Sequence, residues 1–532
     1  MKFSYSPLFP EARDRTRYLR LTAEYVREVK SRKKKILEVK PEALRIVARE
    51  AFSRVNFYFR TSHLENLASI LDDPESSAND RFVAAALLKN AIISAEGVLP
   101  LCQDSGTANI FGFKGEKVLT GADDARWLSR GVFEAYTGLN LRASQMAPLS
   151  MLEDVNTGTN LPAQVEIFST PGCEYRFLFI AKGAGSSNRT ALYQENKSLL
   201  RDEQTLMDFL RDKIMAIGVD ACPPYRMAVV IGGLSAELNL RAVKLATAGW
   251  LDNLVTNPSG LPQGYRDLKW EEKVLKIARK TGLGAQFGGA ALAVEARVIR
   301  LPRHSGSLPL GIGVSCSADR NIRAGINRNG IFIEALEMNP ARFLKKIETL
   351  GFEKVPEINL DQSVDDLISE LSKFPVGTRL SLSGTLIVAR DTAHLRLKKM
   401  LDKGEPLPDY FKRHPVYYAG PARTPEGMAA GSFGPTTARR MDAYVEELMK
   451  AGASRIMIAK GGRSLNVVEA CRKYGGFYLG TIGGAAALVA KEHIVSSEPV
   501  DFEDLGMEAV RKIVVRNLPA IVIFDNKGNR LY

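Results

Sequence analysis

Apolar positions along the chain fall into two patterns, a helical three-and-four spacing in some stretches and short unbroken runs in others. Leu44, Val47, Ala48, Ala51, Phe52 and Val55 follow Pro41 at helical spacing, and proline suits a first helical turn, so an amphipathic helix is expected to begin there. A second helix is expected from Asn79 as N-cap through Phe82, Val83, Leu87 and Leu88, ending at Gly97. The segment after it, 99–107, reads as a loop. The apolar runs 177–181 and 227–231 end in glycine-rich turns, 182–187 and 232–235, which is how strands deliver loops to one sheet edge. The second turn leads into a helical pattern near Ser235, and such a helix start offers unpaired N–H groups to an anion.

Between Met338 and Val376 the pattern weakens into charged, proline-punctuated sequence, including Phe352-Glu353-Lys354-Val355-Pro356-Glu357. A linker region is expected over 338–375, between an N-terminal domain, 1–337, and a C-terminal domain, 376–532. The C-terminal part repeats strand, glycine turn and helix: 380–389 before Arg390, then 456–459 before Lys460-Gly461-Gly462-Arg463. A last strand, 521–524, enters a turn at Asn526-Lys527-Gly528. The expected fold class is α/β, with two unequal mixed α/β domains.

At 532 residues and 45% hydrophobic content, a multidomain globular protein is expected. No apolar run approaches the roughly 18 to 20 residues of a membrane span. Charged Glu11, Arg13, Asp14 and Arg15 follow close behind Met1, so neither a secretory signal nor a transit peptide is expected. Five scattered cysteines do not form a disulfide framework, which points to a reducing compartment, the cytoplasm. The net charge of +13 raises the idea of a nucleic-acid surface. Only 30–35 (Lys-Ser-Arg-Lys-Lys-Lys) is dense, however, and it reads as a solvated helix face or loop. A basic protein also draws anionic metabolites toward itself.

The common nucleotide and hydrolase signatures are missing. There is no Gly-Lys dipeptide and so no Walker A loop, and Gly282-Leu283-Gly284-Ala285-Gln286-Phe287 lacks the third glycine of a dinucleotide fingerprint. Zinc has no Cys-x-x-Cys pair, and His63, His304, His394, His414 and His493 never fall at ligand spacing. No Gly-x-Ser-x-Gly elbow stands between a strand and a helix. What remains are three cysteines in loops of turn-forming and small residues, Cys102, Cys222 and Cys316. Their wide separation leaves them open to two readings, unreactive buried thiols or ligands.

Longer motifs surround these cysteines. Pro100-Leu101-Cys102-Gln103-Asp104-Ser105-Gly106-Thr107 resembles the first cluster-ligand loop of class I, iron-sulfur-dependent fumarate hydratases, with serine at 105 where threonine is commoner. The resemblance continues through 155–164, Ala221-Cys222-Pro223-Pro224-Tyr225, Leu301-Pro302-Arg303-His304, 314–322, 418–427 and Gly434-Pro435-Thr436-Thr437-Ala438, nearly the whole chain in one order. It implies a hydro-lyase of the tricarboxylic acid cycle that interconverts fumarate and (S)-malate in a cleft between the two domains. By the same resemblance Cys102, Cys222 and Cys316 hold a [4Fe-4S] cluster with one iron left open, and soft thiolates suit such a cluster. The resemblance assigns the dicarboxylate to Arg142, Arg390, Arg440 and Lys460, with Gln103 and the Gly185 backbone. It assigns proton transfer to Asp104 and Thr436, with His304 near the leaving hydroxyl. A threonine hydroxyl is a poor base, so Thr436 is either activated by neighbours or a relay. Cys173 and Cys471 lie outside the motifs and read as structural.

Arg439 departs from the family pattern, which usually holds glycine there. The resemblance also implies a homodimer and a C-terminal domain that swings to close the cleft. Two rivals stand beside this reading: L(+)-tartrate dehydratase, whose relatives usually divide the domains between subunits, and a basic nucleic-acid-binding protein without iron.

Overall fold

The computed structural model describes every residue except 1, 2, 4, 11–13, 32, 33, 259 and 349–353. The helix expected from Pro41 forms at Pro41–Val55, with all six of its periodic apolar residues buried. It packs on the helix Asp124–Gly138, and together they cover a six-stranded sheet through Phe52, Tyr136, Phe177 and Phe179. The two helices approach so closely at Gly131 that a Cβ there would strike the Arg45 carbonyl oxygen and come within 2.8 Å of Ala48 Cβ.

The second helix spans Ala78–Ser94, and its cap is Ser77, not Asn79. Ser77 Oγ accepts from Asp80 N at 3.0 Å while Ser77 N donates to Asp80 Oδ2 at 2.9 Å. Asn79, with Phe82 three residues on, has no acid to complete that reciprocal box. Its amide donates instead to Phe287 O at 3.0 Å.

Gly330–Glu334, Asn321–Asn327, Tyr175–Lys182 and Thr107–Gly115 run antiparallel through the six-stranded sheet, with Gln164–Thr170 parallel at one edge. In a five-stranded sheet, Tyr225–Gly233 lies between Leu308–Ser315, antiparallel, and Ala293–Arg303, parallel. Tyr225–Gly233 is buried at every position, and a strand covered on both faces appears in sequence as an unbroken apolar run.

In the C-terminal half Glu357–Asn359, Arg379–Val388, Val416–Tyr417, Ile456–Ala459 and Phe477–Gly480 run parallel. The long strand Val510–Phe524 pairs antiparallel with both Phe477–Gly480 and Arg379–Val388, so five strands close on themselves. Closure leaves fewer unpaired backbone edges.

The described parts of the region expected as a linker, 338–348 and 354–375, carry secondary structure. Pro340–Phe343, Leu344–Glu348 and Val364–Leu371 are helical, and Glu357–Asn359 is an edge strand, with Ile358, Leu360, Leu367 and Leu371 buried. Asp365, Asp366 and Glu370 on the outer face of that short helix mask its apolar stripe in the sequence. Phe352 and Glu353 lie outside the described residues. The described residues of the basic run 30–35 are in paired strands, Lys30 and Ser31 in Val26–Ser31 and Lys34 and Lys35 in Lys34–Val39, rather than on a helix face. Leu37 and Val39, two apart and both buried, give that second strand its inner face. Arg32 and Lys33 lie outside the described residues, as do Met1, Lys2, Ser4, Glu11 and Arg13.

Among the described residues no helix is long and apolar enough to cross a membrane. One core runs through both halves: Leu87, Leu88 and Ala91 of the helix Ala78–Ser94 pack in the same cluster as Leu386, Tyr417, Leu479 and Leu488.

Candidate active site

Strand registers gather the cysteine loops. In the six-stranded sheet Thr107 pairs with Lys182 and Asn321 with Ile180, so the loops holding Cys102, Gly185 and Cys316 leave from one edge. Arg226 pairs with Ser315 in the five-stranded sheet, which sets Cys222 beside Cys316. From the other half, the carboxyl ends of the parallel strands Arg379–Val388 and Ile456–Ala459 deliver Arg390 and Lys460, as such strand ends commonly do for ligand-binding residues.

Cys102, Cys222 and Cys316 are free thiols close enough to perturb one another. Burial is the largest influence and raises the pKa of each; the neighbouring thiols add to this, and Lys460 opposes it at all three. Lys460 Nζ donates to Cys222 Sγ at 2.7 Å. Among the described residues no three Cys, His, Asp or Glu side chains are gathered tightly enough for one metal ion. A multi-iron cluster places each thiolate on a different iron and spreads them, so three neighbouring but separated thiols fit the donor set of such a group.

Asp104 accepts from Gly106 N at 3.0 Å and from Ala184 N at 2.8 Å. Burial pushes its carboxyl up, but Arg142, Arg320 and these two N–H groups outweigh that and leave its pKa lowered. Arg142 N donates to the buried Ser105 Oγ at 2.8 Å, so the serine keeps the hydroxyl that a threonine would offer. Arg390 is 3% exposed and lies on Gly420, where a Cβ would stand 2.9 Å from Arg390 Cζ. Its Nη2 donates to Met507 O at 2.5 Å, Glu508 is 3.5 Å away, and among the described residues its buried Nε has no acceptor. Burial, then the charge of Arg142, bring its pKa down to about 9, and Arg440 acts in the same direction. Three guanidiniums thus stand near one another, an arrangement that a bound anion would stabilise.

Arg440 pairs with Asp391, its Nε 2.9 Å from Oδ1. Gln103 is buried and donates to Pro435 O at 3.1 Å. Thr436 is pinned at both backbone groups, N to Tyr418 O at 2.8 Å and O from Lys460 N at 3.3 Å. A Cβ on Gly185 would lie 3.7 Å from Lys460 Nζ, so glycine leaves the backbone open there.

His304 is not brought to this site within the chain. It sits exposed on the turn between Ala293–Arg303 and Leu308–Ser315, its Nδ1 accepting from Gly306 N at 3.1 Å. The eight residues of Leu308–Ser315 separate that turn from Cys316, roughly 25 Å at strand rise. Arg439 is exposed, beside Gly462, and its charge bears on Arg189. With Gly185, Asn188, Asp220, Thr437 and Arg440 these two arginines line a cavity of about 260 Å³. A larger cavity, about 1150 Å³, lies elsewhere, against Phe113, Trp250 and Cys173, and holds none of the candidate residues. Cys471 is buried, its thiol pushed up to about 12 by that burial.

Other residues of the site are not visible as such in the sequence. Arg320, inside the quoted motif 314–322, is buried and acts on Cys102, Cys316 and Asp104. Lys182 closes an apolar strand and donates to Val314 O at 2.7 Å; burial pulls its pKa down to about 8. Periodicity carries no signal for a lysine turned inward at a strand end.

Comparison with known proteins covers the same span as these elements. Residues 46–325 match the family described as fumarate hydratase (fumerase), and residues 330–532 the one described as fumarase C-terminus. The chain is 52% identical over 531 residues to the aerobic class I fumarate hydratase of Escherichia coli (strain K12), covering 100% of this chain and 97% of the relative. It is 52% identical over 510 residues to fumarate hydratase 2 of Leishmania major, covering 96% and 90%. A putative L(+)-tartrate dehydratase subunit beta of Methanocaldococcus jannaschii is 35% identical over 167 residues, 31% of this chain and 86% of the relative.

Proposed function

Since the chain belongs to the class I fumarate hydratase family and is therefore a hydro-lyase, we propose that it converts fumarate reversibly to (S)-malate with a [4Fe-4S] cluster held by Cys102, Cys222 and Cys316. The observation that carries this is the meeting of three free thiols with cations from both halves of the molecule. With one iron left without a cysteine, such a cluster supplies a Lewis acid for the substrate hydroxyl.

The protein's own residues bind and orient the dianion. Arg142, Arg390 and Arg440 offer planar guanidiniums to its carboxylates, and Lys460, Gln103 and the Gly185 N–H complete the cradle. Asp104, aimed by two backbone N–H groups, and Thr436, held beside Lys460, move the proton on the carbon next to a carboxylate. His304 has no part in this arrangement as one chain builds it. The site lies between the two halves, which shield it from bulk water. The same reading makes the protein a cytoplasmic homodimer.

The tartrate rival is the weaker one, since that relative covers under a third of the chain while fumarate hydratases cover nearly all of it. Anaerobic purification followed by iron and sulfide analysis, with fumarate, malate, mesaconate and tartrate assayed before and after air exposure, tests the proposal. Oxygen-sensitive fumarate hydration by an iron-containing protein is the expected result. A protein without iron, or one that turns over tartrate alone, overturns it.

A further inference from the structure

Three buried polar side chains outside the proposed site reach the three cysteine loops. Gln286 is 3% exposed and holds φ +83°, a left-handed conformation that residues other than glycine seldom adopt unless their surroundings impose it. Its Nε2 donates to Pro223 O at 2.9 Å and to Gly483 O at 3.0 Å, and its Oε1 accepts from Gly483 N at 2.8 Å. Pro223 follows Cys222 directly. Asn90, fully buried, makes the matching set: Nδ2 donates to Leu101 O at 2.9 Å, and Oδ1 accepts from Ala487 N at 2.8 Å and Leu488 N at 3.0 Å. Leu101 directly precedes Cys102. At the third loop the His63 ring nitrogen lies 2.8 Å from Ser317 O, next to Cys316.

Residues 483–488 of the C-terminal half are the common partner. A Cβ on Gly483 would strike Cys222 Sγ, and one on Gly484 would strike Ser317 Oγ, so this segment is itself a wall of the thiol pocket. A primary amide presents donors and an acceptor together and remains neutral, which lets one buried side chain grip a loop from each half without a stranded charge. Each amide does this with three hydrogen bonds.

We infer that Gln286, with Asn90 as its counterpart, is a positioning residue: it fixes the Cys222 loop against Gly483 and so sets where the thiol stands relative to the other two. The C-terminal half is therefore anchored at 483–488, and any opening of the cleft takes place on the side of Arg390 and Arg440, away from these amides. The inference rests on the cluster reading above, and the test separates the two.

Gln286→Met keeps the side chain's length and removes all three hydrogen bonds. In the anaerobically purified full-length chain, loss of iron to a chelator is expected to be about 10- to 100-fold faster than in the wild type, the usual cost of removing a group that orients a metal ligand. KM for fumarate should stay within about two-fold, because the hydrogen bonds of Gln286 go to Pro223 and Gly483 and not to a residue assigned to the substrate. In both proteins stripped of iron, alkylation of Cys222 by iodoacetamide, mapped by mass spectrometry, is expected to be at least about five-fold faster in the variant, as loss of buried hydrogen bonds frees the loop. Cys471 should react alike in both. Should Gln286→Met not fold, Asn90→Asp keeps the acceptor for Ala487 and Leu488 and removes the donor to Leu101 O, giving the same comparison at Cys102. A wild type that carries no iron sinks the functional reading. A wild type that carries iron, with unchanged iron loss and alkylation in the variant, sinks this inference alone.

Discussion

Lys460 places its Nζ 2.7 Å from Cys222 Sγ across 238 residues of chain, a cation from the C-terminal half set against a thiol from the N-terminal half. Around it the other two thiols and Gly185 lie within electrostatic or van der Waals reach. Replacing Lys460 with Met keeps its length and removes the charge. The expected outcome is a fall in kcat/KM of about 10²- to 10³-fold, as for other preorganised charge contacts, with the fold intact by circular dichroism. Wild-type kinetics in Lys460→Met would remove the residue from the site.

Cys316→Ser is expected to lose most of its iron and its activity while keeping its secondary structure. Cys173→Ser, at a turn on the far cavity, is the control and should keep both. Iron and sulfide analysis of anaerobically purified proteins decides between them; equal iron in Cys316→Ser rules out that ligand.

Gly131→Ala forces a methyl group into the Arg45 carbonyl where two helices touch. Overpacking of this kind costs about 1–3 kcal/mol. The urea midpoint should fall accordingly. An unchanged midpoint would mean that the helices separate at little cost.

His394 is buried against Tyr418, and burial brings its pKa down from 6.5 to about 4. Asp391 and Glu508 pull the other way and Arg463 adds to the fall. The unfolded chain therefore binds this proton where the folded one does not. Its contribution is complete above pH 6.5 and is lost as pH falls toward 4, about 3 kcal/mol at roughly 1.4 kcal/mol per unit. Urea unfolding of the wild type should weaken over that window more steeply than that of His394→Gln. Parallel profiles would contradict the assignment.

Arg439 is exposed, next to Arg189, on the wall of the 260 Å³ cavity that reaches Gly185 and Arg440. Arg439→Gln is expected to lower kcat/KM by about two- to ten-fold with kcat unchanged, and to flatten its dependence on salt, as steering charges do. Identical salt profiles would show that the arginine only faces solvent.

The elements legible in the sequence are those whose signal is local. Pro41–Val55 carries its helical stripe in full, and 227–231, inside Tyr225–Gly233, is the unbroken apolar run that suits a strand covered on both faces. What escaped depends on partners far along the chain. Asn79 looks like a cap, but its amide is taken by Phe287 O, 208 residues on, while Ser77 caps the helix. The span 338–375 reads as linker because Ile358 and Leu367 are too few to reveal a strand and a helix without the sheet they cover. At the site, motif resemblance points to Cys102, Cys222 and Cys316, and strand register brings their loops together. Gln286, Asn90 and Arg320 leave no periodic trace, because their value lies in hydrogen bonds and charges across hundreds of residues.

The strand Val510–Phe524 is translated after the four others it joins into a ring. Until it emerges, Arg379–Val388 and Phe477–Gly480 each expose an unzipped flank, and the wall around Gly483 hangs from an incomplete scaffold. Assembly of the thiol pocket thus waits on a late stretch of polypeptide, so a ribosome that stalls before residue 510 leaves behind sticky strand margins rather than a half-working catalyst.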